Sequence, residues 1–377
     1  MLRPATETEL AELVRGAVSP FEIMGAGTKR NLGRPIAVTP LDLSRFSKVI
    51  AYEPEELILE AGAAAKLSDI EKLLAKKNQM LAFEPPDFSK LLGSEHSGTL
   101  GGLLNCNHAG ARRVRAGAAR DHILGLSGVN GKGEIFKAGA RVVKNVTGYD
   151  LPRLIAGSYG TLAALTSVIF KVLPKPETEI TLRVSCKSPE HAVRVMAQAM
   201  QSNCEISSAA YLPQEGVYLR LEGIEASVNY RRDALQKFVM GSDYLAQDKS
   251  VALWQGVRDA APFWKFKTHN IWRISVPPMD APRVIAEWQK QFPFAYYLDW
   301  AGGLIWLAHE PNVETVTKLR GAITQGHATL FRANAETRAR VEVFQPQAPE
   351  LAALSARVKA AFDPRALFNP GRMYRNI

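Results

Sequence analysis

FEIMGAGTKRNLG (residues 21–33) runs from a short apolar stretch into a loop with glycines at 25, 27 and 33 and the adjacent cations Lys29 and Arg30. Glycine directly after a strand lets the backbone turn sharply or come close to a ligand, and an anion would suit the two cations. Two familiar phosphate loops do not fit. The stretch lacks the third glycine of G-x-G-x-x-G and contains no G-x-x-x-x-G-K-[ST]. Both of those loops open a helix, whereas NLGRPIAVTPLDLS (31–44), with Gly33, Pro35 and Pro40, reads as extended chain. An anion here would be bound by successive backbone N–H groups without a helix dipole. The competing reading is a plain strand connection, and the rest of the chain has to decide.

A chain of 377 residues is long enough for two or three domains. At 46% hydrophobic and 22% charged it has the composition of an ordinary globular protein. A net charge of +10 and a pI near 9.5 would suit nucleic acid, an acidic cofactor, an anionic substrate or an anionic partner, and sign alone does not choose. Cys106, Cys186 and Cys204 include no C-x-x-C, so neither a disulfide framework nor a cysteine-ligated iron–sulfur cluster is encoded. A reducing compartment follows. MLRPATETEL has no apolar signal core, and there is no uninterrupted apolar run of about 18 residues. The expected location is cytoplasmic, with any contact with the inner membrane made through a partner.

Working outward from the loop, Thr6 and Glu9 read as a capping box before Leu10, Leu13 and Val14 at helical spacing. KVIAY and LILEAG read as strands. Ser68 with Glu71 reads as the cap of a second helix. A long stretch rich in glycine and small residues, FEPPDFSKLLGSEHSGTLGGLLNCNHAGARRVRAGAARDH, then leads into a hairpin with an Asn130-Gly131 turn. VTGYDLPRLIAGSYGTLAALTSVIFKVLPKP reads as a short helix, a tight passage and a strongly apolar strand. Beyond about residue 175 two successive βαββα patterns resemble a duplicated ferredoxin-like arrangement: one antiparallel sheet with helices on one face. DYLAQDKSVALWQGVRDAA reads as a helical connector between the copies.

The small-residue stretch and GSYGTL repeat the character of the opening loop, and three such loops in one domain favour an elongated anionic ligand such as a dinucleotide. FEIMGAGTKRNLG, HSGTLGGLLNCNHAGARR, ARDHILGL, KNVTGYDLPRLIAGSYGTLAALTSVIFKVLP and FDPRALFNPGRMY together resemble the vanillyl-alcohol oxidase and p-cresol methylhydroxylase superfamily. More narrowly, the chain is similar to the smaller FAD-binding subunits of bacterial glycolate oxidase (dehydrogenase) complexes. The resemblance implies an α+β fold: a PCMH-type FAD-binding domain of two α/β subdomains (1–175), an antiparallel-sheet cap (176–345), and a C-terminal helix and tail packing back on the FAD domain (346–377). It implies noncovalent FAD, with Gly25, Ala26, Gly27, Thr28 and Lys29 wrapping the pyrophosphate. Gly98, Thr99, Gly101 and Gly102 form the second FAD loop, Gly160, Thr161 and Ile169 the third segment, and Asn145 and Tyr149 lie near the isoalloxazine. Relatives with G-S-E-G-T-L-G differ here, where GSYGTLA carries Tyr159 and Ala163.

The implied activity is oxidation of glycolate or another 2-hydroxy acid together with a catalytic flavoprotein subunit and an iron–sulfur subunit. Such chemistry needs a base for the hydroxyl proton and cations for the carboxylate. The seven histidines are scattered, and no pair has close metal-ligand spacing, so no metal site is expected. His327 (in GHATLF) and Arg273 (in IWRIS) are candidates for base and carboxylate partner, against the plainer reading of single polar residues on alternating strands. Trp300 and Trp306 read as sheet packing, with a partner-binding surface as the alternative. Three other readings stand beside the main one: a flavin-free scaffold subunit of the same complex, an autonomous FAD-dependent dehydrogenase, and nucleic-acid binding. A basic cluster (Arg112, Arg113, Arg115, Arg120) without interleaved aromatics is poor support for the last.

Overall fold

The structure is a computed structural model and describes residues 1–142, 148–239 and 242–375. Asn145 lies outside the described residues. Backbone contacts divide the chain into two units: residues 1–108, 117–174 and 346–377 form the first, and residues 109–116 with 175–345 form the second.

In the first unit, helix Glu7–Arg15 begins at Thr6, whose hydroxyl accepts the Glu9 N–H at 3.1 Å. Leu10, Ala11 and Val14, spaced to share one helical face, are completely buried. They pack in one core with Phe21, Leu41, Val129, Ala164, Leu367 and Phe368. Helix, opening strand, central sheet and C-terminal tail therefore share a core from four distant stretches of sequence. Strand Phe21–Met24 pairs in parallel with Thr39–Asp42. The larger sheet is antiparallel, in the order Val49–Glu53, Ile58–Gly62, Ala163–Lys171, Ile123–Asn130, Ile135–Gly139. Its middle strand carries the apolar run AALTSVIF, buried almost throughout, as a central strand requires. The second helix, Leu67–Ala75, differs from the expected cap. Its N-cap is Lys66, which makes no side-chain cap, so Ser68 sits inside the first turn. The Leu67 N–H bonds the Gly98 carbonyl at 3.0 Å and Lys66 bridges Thr99, so a tertiary contact rather than a hydroxyl sets that helix start.

The second unit is one antiparallel sheet of eight strands, ordered Asp243–Leu245, Thr178–Val184, Gly216–Gly223, Ser208–Leu212, Ala295–Asp299, Leu304–His309, Asn270–Ser275, His327–Arg332. Numbered along the chain, each half is a βαββαβ repeat with strands in the spatial order 4-1-3-2, and the halves join where Tyr211 opposes Leu298. The fourth strand of the first repeat is Asp243–Leu245, in the stretch read from sequence as helical. The helix proper is Gln247–Arg258. Strand alternation separates the faces. Leu182, Leu219, Leu298, Leu307, Ile274 and Leu330 lie on an apolar, fully buried face, on which Gly223 meets Val228 of helix Glu225–Phe238. The register places Thr181, Arg220, Tyr297, Trp306, Arg273 and His327 on the other face. Helix Gln247–Arg258 packs on this polar face: Trp254 donates to the Thr181 hydroxyl at 2.7 Å and lies 4.8 Å beneath the Arg220 guanidinium. The expectation of helices on one face only is thus corrected. Glu179 and Thr181 need hydrogen-bonding cover, which Ser250 and Trp254 of this helix give them, and the Trp254 ring covers Arg220.

Among the described residues no helix is long and apolar enough to cross a membrane, and no group of three His, Cys, Asp or Glu side chains is placed to hold a metal ion.

Candidate functional site: a glycine-walled cleft

Strand Phe21–Met24 delivers the chain into an open cleft. Its walls include Gly25, Ala26, Gly27, Thr28 and Lys29 on one side, Thr99 and Gly102 on another, and Gly160 on a third. Three sequence-distant loops therefore meet in one place. Gly27 has φ +69°, the left-handed region that favours glycine. Gly98 serves differently: a Cβ there would stand 2.3 Å from the Lys29 Nζ, so the missing side chain makes room for the lysine.

Lys29 is half-buried. Burial pulls its ammonium below the ordinary lysine value, against the opposing influence of Cys106 and Asp87. The one carboxylate of the cleft, Glu22, is already held by Arg30 at 2.5 Å and by Arg372 at 2.6 Å. Burial pushes the Glu22 carboxyl up, but the hydrogen bonds and charges of the two guanidiniums outweigh it and leave it below its ordinary value. Three cations among the lining residues against one carboxylate leave the cleft positive, and Asp87 acts on the Lys29 ammonium only from outside the lining. A glycine-rich backbone wall, a threonine hydroxyl and an ammonium in a net-positive cleft fit a diphosphate-bearing cofactor.

The remaining expected residues divide. Gly101 and Thr161 are buried beside the cleft, the Thr161 hydroxyl donating to the Ser158 carbonyl at 2.7 Å. Ile169 lies in strand Ala163–Lys171 opposite Glu60, and Tyr149 is 93% exposed, both away from the cleft wall. Sequence reasoning missed Glu22, Asn105, Cys106, Asn369 and Arg372, all of which line it. All five lie in stretches that carry the resemblance, but no spacing of residue types singles them out, and only the fold brings them together. The Cys106 thiol is pushed up to about 11 by burial, offset by Lys29 and Arg372, which makes it a poor nucleophile. Tyr159 adopts φ +53°, with its N–H on the Asn105 carbonyl at 2.7 Å.

A second cluster lies wholly in the other unit. The Arg113 and Arg273 guanidiniums stand 4.6 and 4.7 Å from the Trp300 ring centroid. Trp300 has φ +53°, a strained value for a bulky residue. It is held by its N–H on the Asp299 carboxylate at 2.7 Å and its indole N–H on the Gly110 carbonyl at 3.0 Å. His327 stands at the exposed start of its strand, yet desolvation by its surroundings, and then the charges of Arg273 and Arg113, lower the imidazole below its ordinary value. The structure therefore brings the two sequence candidates Arg273 and His327 into one electrostatic neighbourhood and adds Arg113. Trp306 packs edge-on to Phe331 and parallel to Tyr297.

Residues 1–139 match the FAD binding domain family, and residues 304–373 match the family of FAD linked oxidases, C-terminal domain. Glycolate oxidase subunit GlcE of Escherichia coli is 34% identical over the full length of both chains. Glycolate oxidase subunit GlcD of Bacillus subtilis is 36% identical over 35% of this chain and 27% of its own. Among solved structures, p-cresol methylhydroxylase with substrate bound matches all of this chain and 89% of its own with a TM-score of 0.73 at 14% identity. Alkyldihydroxyacetonephosphate synthase matches 98% of this chain and 76% of its own with a TM-score of 0.66 at 15% identity. The PCMH-type fold, the glycine-walled cleft and a full-length relative agree, and the chain belongs to the family of FAD-linked oxidases.

Proposed function

We propose that this chain is the FAD-binding subunit of a glycolate (2-hydroxy acid) oxidase complex and works with a catalytic flavoprotein subunit and an iron–sulfur subunit. The observation that carries the reading is the Lys29 ammonium inside a cleft walled by Gly25, Gly27 and Gly160, in a chain alike over its whole length to a glycolate oxidase subunit. The cofactor, bound noncovalently, supplies two-electron redox chemistry. In this reading residues 25–29 hold its diphosphate through backbone N–H groups and the Lys29 ammonium, and Thr99 and Gly102 close the second side. Each charge-assisted bond of this kind contributes about 1.5–3 kcal/mol. Three cysteines without C-x-x-C spacing leave iron–sulfur ligation to another chain.

The Arg113, Arg273 and His327 cluster suits a small carboxylate. Guanidiniums answer the anion, and an imidazole lowered by desolvation and by its cationic neighbours is able to accept a hydroxyl proton on a ring nitrogen. The purified chain is expected to be yellow and nearly inactive with glycolate or D-lactate, and to become active when the catalytic subunit is added. A colourless protein would leave the scaffold reading standing, and brisk turnover by the chain alone would refute dependence on partners.

A further inference from the structure

The C-terminal segment FNPGR (368–372) is not one of the glycine-rich loops, yet two of its side chains reach the walls of the cleft. It runs beside the opening strand: the Phe21 N–H bonds the Leu367 carbonyl at 2.6 Å, and the Asn369 N–H bonds the Phe21 carbonyl at 2.9 Å. The Asn369 side chain then does two things at once. Its Oδ1 accepts the Ile23 N–H at 2.9 Å, and its Nδ2 donates to the Tyr159 carbonyl at 2.8 Å. One amide thus spans the strand that launches residues 25–29 and the turn that presents Gly160. Both walls come close to it, since a Cβ on Gly160 would lie 2.7 Å from the Asn369 Nδ2. Arg372 ties the far end of the opening loop, donating to the Arg30 and Leu32 carbonyls at 2.9 and 3.2 Å while its other arm holds Glu22. The root of the tail is fixed by Lys359, whose Nζ bonds the Thr161 carbonyl at 2.6 Å, the Asp363 carboxylate at 2.7 Å and the Phe368 carbonyl at 3.0 Å.

We propose that Asn369 and Arg372 are positioning residues that hold two walls of the cofactor cleft in register, so that the C-terminal tail sets the affinity for FAD. This rests on the reading of the cleft as the FAD site. A backbone cradle binds only when its N–H groups are pre-aimed, and its two walls come from residues far apart in the chain. Asn369 needs both an acceptor and a donor for this task, which an amide has and a carboxylate lacks.

Asn369→Asp keeps the acceptor for the Ile23 N–H but turns a second acceptor toward the Tyr159 carbonyl, while Asn369→Ala removes both arms. Arg372→Lys keeps a charge for Glu22 but loses the fork that reaches two carbonyls. The full chain is stripped of flavin, FAD is titrated back by flavin fluorescence, and the unfolding midpoint of the flavin-free protein is measured in parallel. Asn369→Asp is expected to raise the Kd for FAD about tenfold or more with the flavin-free midpoint nearly unchanged, and Arg372→Lys to raise it about threefold. A Kd within about twofold of the parent in Asn369→Asp and Arg372→Lys overturns the proposal, as does a Kd that rises only in step with lost flavin-free stability. A parent chain that takes up no FAD overturns the cleft assignment, and this inference with it. A parent that binds normally beside unaffected variants sinks the inference alone.

Discussion

Gly27 sits at φ +69° with open space around a hypothetical Cβ, its nearest neighbour being the Arg30 Cδ at 3.7 Å. The objection to a side chain there is therefore conformational, and a β-branched residue is the worst case. Gly27→Val is expected to cost about 1–3 kcal/mol of loop conformation, read as roughly a tenfold to hundredfold loss of FAD affinity in a flavin titration. Full flavin occupancy in the purified variant would show that residues 25–29 do not form the pyrophosphate wall. Glu22 gives a pH handle on the same loop. Its folded-state pKa lies below the ordinary 4.5, so its contribution is complete above that value and disappears as the pH falls through the lower folded value. Denaturant unfolding of the full chain from pH 7 down to pH about 3 should show stability falling faster in the parent than in Glu22→Gln, the variant starting lower because Arg30 and Arg372 lose their counter-charge. Parallel curves below pH 4.5 would mean that folding does not lower the pKa of Glu22.

At the scale of elements, the sequence was legible where one property was local. Residues 25–29 were legible as a loop because glycine spacing and adjacent cations need no tertiary information. The apolar run at 163–170 was legible as a central strand for the same reason. What was not legible depends on pairing at a distance. Asp243–Leu245 becomes a strand only because Thr178–Val184 offers it an edge, and helix Leu67–Ala75 starts where the Gly98 carbonyl meets it rather than at Ser68. Asn369 is invisible as a site residue in NPGR because both its partners lie more than 200 positions away. Helix Pro349–Phe362 shows the same limit, since its one buried residue is a lysine. The Lys359 ammonium is lowered by burial and upheld by Asp363, whose carboxylate also accepts the Leu367 and Phe368 N–H groups. Lys359→Met strands that buried carboxylate and two backbone carbonyls, and is expected to destabilise the first unit by about 3–5 kcal/mol in chemical denaturation. A loss under about 1 kcal/mol would mean that Asp363 is satisfied without it.

On the scale of the whole molecule, the two units carry different natural probes. All six tryptophans lie in the second unit, while the cleft assigned to FAD is built entirely from the first. Tryptophan fluorescence therefore reports one unit and flavin release the other. Arg112, on the 109–116 excursion that belongs to the second unit, pairs with buried Glu222, which also has Arg220 at 3.6 Å. Removing one partner of a buried pair costs about 3–5 kcal/mol, and the remaining Arg220 places Arg112→Met at the lower end. That substitution is expected to lower the denaturant midpoint of tryptophan fluorescence and leave flavin release where it was. Lys359→Met should do the reverse. Free FAD at about a hundred times its Kd should stabilise the first unit by about 2.7 kcal/mol without moving the tryptophan midpoint. If Lys359→Met moves both midpoints by the same amount, the units unfold as one cooperative body. The tail would then stabilise the whole chain, and its effect on flavin would no longer be separable from folding.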